Sequence, residues 1–150
     1  MIELDRISNN ILHELVVDGR MTNIELAERV GLSSSACLRR VQELERSGVI
    51  TGYRAVLDKA VLGVGFTAYI AVGLSDHTKE SQQAFEKSIV QSPEVRECHN
   101  ITGMFEYLLR VEVTDLAAYK VFHSDVLGTL PQVSSITTYV VMDSPKDERA

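Results

Sequence analysis

The 150 residues contain no tryptophan, only 3 prolines and 9 glycines, and just 2 cysteines. So little proline and glycine excludes collagen-like and low-complexity chains. Cys37 and Cys98 lie far apart in unlike contexts. They make no disulfide framework and no CxxC pair, and isolated thiols of this kind fit a reducing, cytoplasmic setting. Long apolar runs are missing too. The longest uncharged stretch, Ala60 to Ser75, falls short of the roughly 20 residues a membrane helix needs. Its Gly63, Gly65 and Gly73 read better as strand and turn. The acidic start Met1-Ile2-Glu3-Leu4-Asp5 has no apolar core of a secretion signal. No GxGxxG, P-loop or GxSxG motif occurs, and none of the 4 histidines has a partner at HxxH or HxxxH spacing. The expectation is therefore no metal, no cofactor and no nucleophilic triad.

What is present is an ordinary globular composition, 45% apolar and 24% charged. That suffices for one domain or two small ones and argues against disorder. The formal net charge of −6 argues on its face against nucleic acid, but the charge is unevenly spread. Residues 1–57 carry seven Arg and eight Asp/Glu, and their only cations are Arg. Between Arg29 and Arg54 there are five Arg and two Glu. A basic segment can attract DNA locally even on an acidic chain, because screening limits each charge to about 10 Å. Arg also suits bidentate contacts to phosphate or guanine.

Residues 4–48 read as three helices. Leu4, Ile7, Ile11, Leu12 and Leu15 recur at helical spacing, and Asp18-Gly19-Arg20 ends that segment. Thr22-Asn23-Ile24-Glu25 is a capping box. It opens a second helix over residues 23–30, expected to turn Ile24, Ala27 and Val30 inward. Gly31 closes it, with Leu32 as a buried plug. Ser33 caps a third helix to about Ser47, with Cys37, Val41 and Leu44 inward and Gly48 as its left-handed stop. Two short helices about a tight turn, braced by a longer one, describe a helix-turn-helix. Val49 to Leu57 then reads as a β segment, either a wing or a connector.

The second half alternates differently. Strands are expected at residues 66–74, 95–102, 107–113 and 133–142. Helices are expected at 78–91 and from Asp115 to Leu130, the latter burying Leu116, Tyr119, Phe122, Val126 and Leu130. Between residues 107 and 113, Tyr107, Leu109, Val111 and Val113 face one way and Arg110 and Glu112 the other. The order βαββαβ is the ferredoxin-like arrangement, so the whole is an α+β protein. Such a sheet has one face without helices. With Tyr107, Leu109, Val111 and Tyr139-Val140-Val141-Met142 offering apolar residues to both faces, the domain is expected to pair with a second copy as a two-fold dimer. Two copies would also present two DNA-reading heads to two half-sites.

These residues resemble the leucine-responsive regulatory protein (Lrp/AsnC) family of transcription regulators. The likeness runs through Leu4-Asp5-Arg6-Ile7, Asp18-Gly19-Arg20, Val30-Gly31-Leu32-Ser33 and Cys37-Leu38-Arg39-Arg40-Val41. It continues through Leu44-Glu45-Arg46-Ser47-Gly48-Val49-Ile50, Glu97-Cys98-His99, Gly103-Met104-Phe105-Glu106-Tyr107-Leu108-Leu109 and Thr138-Tyr139-Val140-Val141-Met142. The resemblance implies a winged helix-turn-helix over residues 1–52, a β-strand hinge over 53–63 and a ferredoxin-like effector and oligomerisation domain over 64–142. Residues 143–150 would be a flexible tail. It also implies dimers that assemble into tetramers or octamers, with an amino-acid effector held between dimers. Two departures stand out: Ser34, Ser35 and Ala36 replace the prolines common near the start of the third helix, and Glu106 replaces the usual Asp of the turn.

On the third helix, Ser34, Ser35, Leu38, Arg39 and Gln42 lie opposite the inward stripe. Their donors suit base edges and phosphates, and Leu38 suits a thymine methyl. Arg40 sits at the margin and is expected to meet phosphate. Thr22 and Ser33, at the starts of the two helices, complete the DNA-facing set. For an amino-acid effector, Gly103 permits a turn whose amides receive a carboxylate, and Glu106 can take an α-amino group. Thr102, Met104, Phe105 and Tyr107 belong to the same turn. Leu116, Tyr139 and Val140 are candidate apolar walls, with plain core packing as the rival reading. Two other functions remain open at this point. One is a small dimeric α/β-barrel enzyme, whose only visible acid–base pair is Glu106 with His99. The other is an amino-acid sensor without DNA readout.

Overall fold

The computed structural model describes residues 4–147, and these divide into two compact units, residues 4–56 and 57–147. No helix among the described residues is long and apolar enough to cross a membrane.

The first unit is three helices, α1 (Arg6–Val17), α2 (Asn23–Val30) and α3 (Ser34–Arg46). Each begins where a short polar side chain takes an orphan amide. Asp5 Oδ1 accepts from the Ser8 amide at 2.8 Å. Thr22 Oγ1 accepts from the Glu25 amide at 3.3 Å while Glu25 Oε2 accepts from the Thr22 amide at 2.9 Å. Ser33 Oγ accepts from the Ala36 amide at 3.3 Å. Gly31, at φ 71°, turns the chain between α2 and α3 in the left-handed region that glycine enters at little cost. The core is Ile11, Leu26, Ala27, Cys37 and Leu44, with Val30, Leu32 and Val41 packed at its margin. One expectation fails: Ile24 is exposed and Leu26 is buried. Those two positions lie about 200° apart on a helix, and Ala27 and Val30 share the side of Leu26. The expected β segment over residues 49–57 is also not a strand. Val49 and Ile50 amides both donate to the Leu44 carbonyl at 3.0 Å, and the following residues run without a strand partner among the described residues.

The second unit is a sheet with two helices on one face. Its strands are β1 (Phe66–Leu74), β2 (Val95–Asn100), β3 (Tyr107–Val113) and β4 (Val133–Val140), in the order β2-β3-β1-β4 with every neighbour antiparallel. Its helices are α4 (Lys79–Val90) and α5 (Leu116–Val121). The βαββαβ order and this strand order make the ferredoxin-like topology. Ala68, Ile70, Val72, Tyr107, Leu109 and Val111 meet Phe85, Ile89, Tyr119, Phe122 and Leu127 in one apolar layer.

α5 continues through a π turn, Phe122–Val126, and a short 3₁₀ turn, Leu127–Thr129. The π turn takes up one extra residue. It therefore moves the inward position from Val126 to Leu127, which is fully buried, while Leu116, expected inside, is exposed. The open face also differs from expectation. Tyr107, Leu109 and Val111 all lie under the helices. The opposite face of β3 carries Arg110 and Glu112, both buried and 2.6 Å apart, with Lys59, Arg96 and Asp147 around them.

Candidate nucleic-acid interface and effector site

The exposed side of α3 sorts its polar residues into those already bonded and those free. The capping box fully engages Thr22, whose hydroxyl also donates to Glu25 Oε2 at 2.7 Å. Ser33 is the cap of α3. Asn23 Nδ2 donates to the Ser34 carbonyl at 2.8 Å and ties the start of α2 to the start of α3. Sequence reasoning used Asn23 only as part of the capping box. Its role across 11 residues leaves no local signature.

Arg40, expected at phosphate, is instead turned back onto α1. Its Nη1 lies 2.7 Å from Asp5 Oδ2 and 3.2 Å from Ser8 Oγ. The Ser8 amide and hydroxyl, with Arg40 beside them, hold the Asp5 carboxyl down at about 2. Arg29 is likewise paired with Glu14 at 2.9 Å, and Arg46 with Glu43. The local excess of positive charge read from residues 29–54 is thus drawn down by acids of α1 outside that segment. Arg39 has no such partner among the described residues, and it shares its face with Ser34, Ser35, Gln42 and the half-exposed Leu38. Apart from the Ser35 hydroxyl, which lies 3.4 Å from Ser33 Oγ, the side chains that stay available are donors and one apolar contact on one side of one helix.

The turn between β2 and β3 forms as expected. Gly103 sits at φ 141° and Met104 is fully in solvent. Thr102 is exposed and Phe105 half-buried. The Ile101 amide donates to the Glu106 carbonyl at 2.9 Å, and the Glu106 amide donates to the Val72 carbonyl at 3.1 Å. Glu106 then reaches across to β1, where Oε2 accepts from the Leu74 amide at 2.7 Å. Its other oxygen lies 3.4 Å from His77 Nδ1. A Cβ at Gly73 would collide with Ser135 Oγ on β4, while it would stand at ordinary contact distance, 3.6 Å, from Glu106 Oε2.

Tyr107 faces away from the turn. Its ring packs on Phe85 at 4.7 Å and its hydroxyl donates to Glu86 Oε1 at 2.6 Å. Burial first, and then the neighbouring Glu86 carboxylate, push this phenol up to about 12. The same two causes push the Cys98 thiol up to about 11. Leu116, Tyr139 and Val140 are exposed, but not beside the turn. Tyr139 pairs with Tyr69, and Val140 with Ala68, whereas the turn is bonded at Val72 and Leu74. Leu116 follows the far end of β3. At about 3.3 Å per residue, one sheet separates the two halves of the expected site by roughly 10–20 Å. His99 faces Glu97 at 3.3 Å, while Glu106 is engaged by Leu74 and His77. The acid–base pair needed by the enzyme alternative is therefore not assembled. A cleft of about 330 Å³ lies between the π turn and the start of β4, lined by His123, Leu127, Gly128, Val133, Ser134, Ser135 and Ile136. It contains no carboxylate or ammonium to recognise a zwitterion.

Comparison with known proteins agrees with both units. Residues 67–150 match the family described as "Lrp/AsnC ligand binding domain", and residues 4–51 match "Winged helix-turn-helix DNA-binding". The leucine-responsive regulatory proteins of Klebsiella pneumoniae and of Escherichia coli K12 are each 41% identical over 144 residues, which is 96% of this chain and 88% of theirs. Among solved structures, a transcriptional regulator of Neisseria meningitidis in complex with L-Met is similar at a TM-score of 0.93 and 36% identity, over 97% of this chain and 94% of that one. An AsnC family transcriptional regulator of Agrobacterium tumefaciens is similar at a TM-score of 0.91 and 31% identity, over 96% and 94%.

Proposed function

Because the chain belongs to the Lrp/AsnC family of transcriptional regulators, we propose that α3 is its DNA-reading helix and that the turn at residues 102–106 is half of its effector site. The protein is a DNA-binding transcriptional regulator with an amino-acid-binding domain, and its relatives are regulators, not enzymes. The observation that carries the finer assignment is the free face of α3. Ser34, Ser35, Leu38, Arg39 and Gln42 remain exposed, while Arg29 and Arg40 are tied to Glu14 and Asp5.

In this reading Arg39 makes the bidentate contact, and Ser34, Ser35 and Gln42 contact phosphates and base edges. Arg40 positions α3 and touches no DNA. Fluorescence anisotropy on promoter fragments tests it. Arg39→Ala is expected to weaken operator binding by about 1–3 kcal/mol and to flatten the salt dependence. Equal affinity for wild type and Arg39→Ala at every salt concentration would overturn the assignment.

The effector is an amino acid, with L-methionine the first candidate because a relative was solved with it. Glu106 takes the α-amino group and the Gly103 turn the carboxylate. Leu116, Tyr139 and Val140 come from a second copy, since one sheet separates them from the turn. This supports a homo-oligomer with the effector between dimers. Residues 1–52 then form the head, 53–63 the hinge, 64–142 the sensing domain and 143–150 the tail. A cytoplasmic location fits the two free thiols.

A further inference from the structure

We infer that His77 gates the effector site without touching the effector: its imidazole is the counter-group that an amino acid's ammonium displaces from Glu106, so that effector affinity rises with pH across the histidine range. This rests on the effector reading of the 102–106 turn given above.

Glu106 is not a vacant carboxylate. Oε2 is committed to the Leu74 amide at 2.7 Å, and the side chain is only 18% exposed. What remains for a cationic ligand is Oε1, and that oxygen lies 3.4 Å from His77 Nδ1. His77 itself is 75% exposed and sits on the short loop between β1 and α4. It has room to swing away, whereas Glu106 has none. The glutamate reaches from the end of the turn to the β1 backbone.

Asp76, on the same loop, accepts from the Thr78 hydroxyl and from the Thr78 amide at 3.0 Å, and its carboxylate also lies within electrostatic reach of His77. On the β4 side, the Gln132 carbonyl accepts from the Ser75 amide at 2.8 Å, and Ser134 and Ser135 are neutral. The turn offers Thr102, Met104 and Phe105, all neutral, and the remaining nearby charges in sequence are Lys79 and Glu80 in the first turn of α4. Below about pH 6.5 a histidine is cationic. An imidazolium at Glu106 opposes an incoming ammonium twice, by occupying its acceptor and by like-charge repulsion. A neutral imidazole brings no such repulsion and leaves Oε1 to the ligand. Free L-methionine keeps its ammonium and carboxylate from pH 5.5 to 8, so that ligand's own charge does not change.

The test is calorimetric titration of the full-length protein at pH 5.5 and pH 8 with L-methionine and the other standard amino acids, in wild type and His77→Gln. The expected result is wild-type affinity about threefold or more higher at pH 8, the scale of an exposed ion pair, with His77→Gln binding at the pH 8 level at both values. The exposed position lets His77→Gln fold normally, and circular dichroism of both proteins checks it. Binding with the same pH slope in both proteins, or with no slope in wild type, overturns the role of His77 and leaves the effector site standing. Failure of all the amino acids to bind at either pH overturns the effector site and this inference together.

Discussion

In the three-helix unit Arg29, Arg40 and Arg46 meet their acids at the surface, each between side chains more than a fifth exposed. In the sheet unit Arg110 and Glu112 pair 2.6 Å apart with 7% and 4% of their side chains exposed. Among the described residues the core clusters also differ, five buried apolar residues in the first unit against thirteen in the second. Surface pairs are screened and contribute little to stability; here Arg40 ties α3 to the cap of α1, Arg29 ties α2 to α1, and Arg46 stays within α3. A buried pair is different, because removing one member leaves the other charged in a dry place; without Glu112, Arg110 would face Asp147 at 3.4 Å and Glu97 at 4.0 Å. The helical unit thus has a small core with orienting ties outside it, and the sheet unit a larger core with charge locked inside.

The sharpest break in this contrast is Glu112→Leu. It removes the acceptor shared by Arg110, Lys59 and Arg96 and is expected to destabilise the sheet unit by about 3–5 kcal/mol. Hydrogen-exchange mass spectrometry reads it, with faster exchange in β1 and β3 and none in α1–α3. A loss confined to less than about 1 kcal/mol would make the pair equivalent to a surface one.

Next in size is Ile11→Ala. Ile11 is fully buried in the five-residue core, and its truncation is expected to cost about 2–4 kcal/mol. With so little core in reserve, α1–α3 should lose protection and DNA binding while L-methionine binding persists. Equal loss of both activities would mean that the units do not unfold separately.

The smallest effect concerns acid. Asp5 titrates at about 2 in the folded chain, below its ordinary 3.8. A depressed carboxyl contributes stability that is present above pH 3.8 and is lost as pH falls through 2. The helical unit of Asp5→Asn should therefore show less acid sensitivity than wild type in that window, measured by far-ultraviolet circular dichroism. Identical acid profiles would remove the Asp5–Arg40 tie from the account.

Much of this was legible in the residues themselves. The capping box at Thr22, the Ser33 cap, the turn at Gly31 and the extent of β3 all depend on groups within four residues of each other or on strict alternation. Such signals are written locally, which is why the βαββαβ order and the head could be placed in advance. The misreadings have equally physical origins. Ile24 and Leu26 are both apolar on a helix of 8 residues, too short for periodicity to choose between them. The π turn shifted the buried stripe of α5 by one residue, and no composition marks such a shift.

Chain order and residue pattern alone dictated where each helix and strand begins, and which side of α3 is wet. Packing chose which of two adjacent arginines stays free, since Arg40 finds Asp5 across 35 positions while Arg39 points elsewhere. Packing likewise carried Glu106 across 32 positions to the Leu74 amide and set Tyr139 at the opposite end of the sheet from it. The reason is range: caps and alternation act over a few covalent bonds, whereas an ion pair or a shared oxygen forms only after distant segments have been brought within about 3 Å of each other.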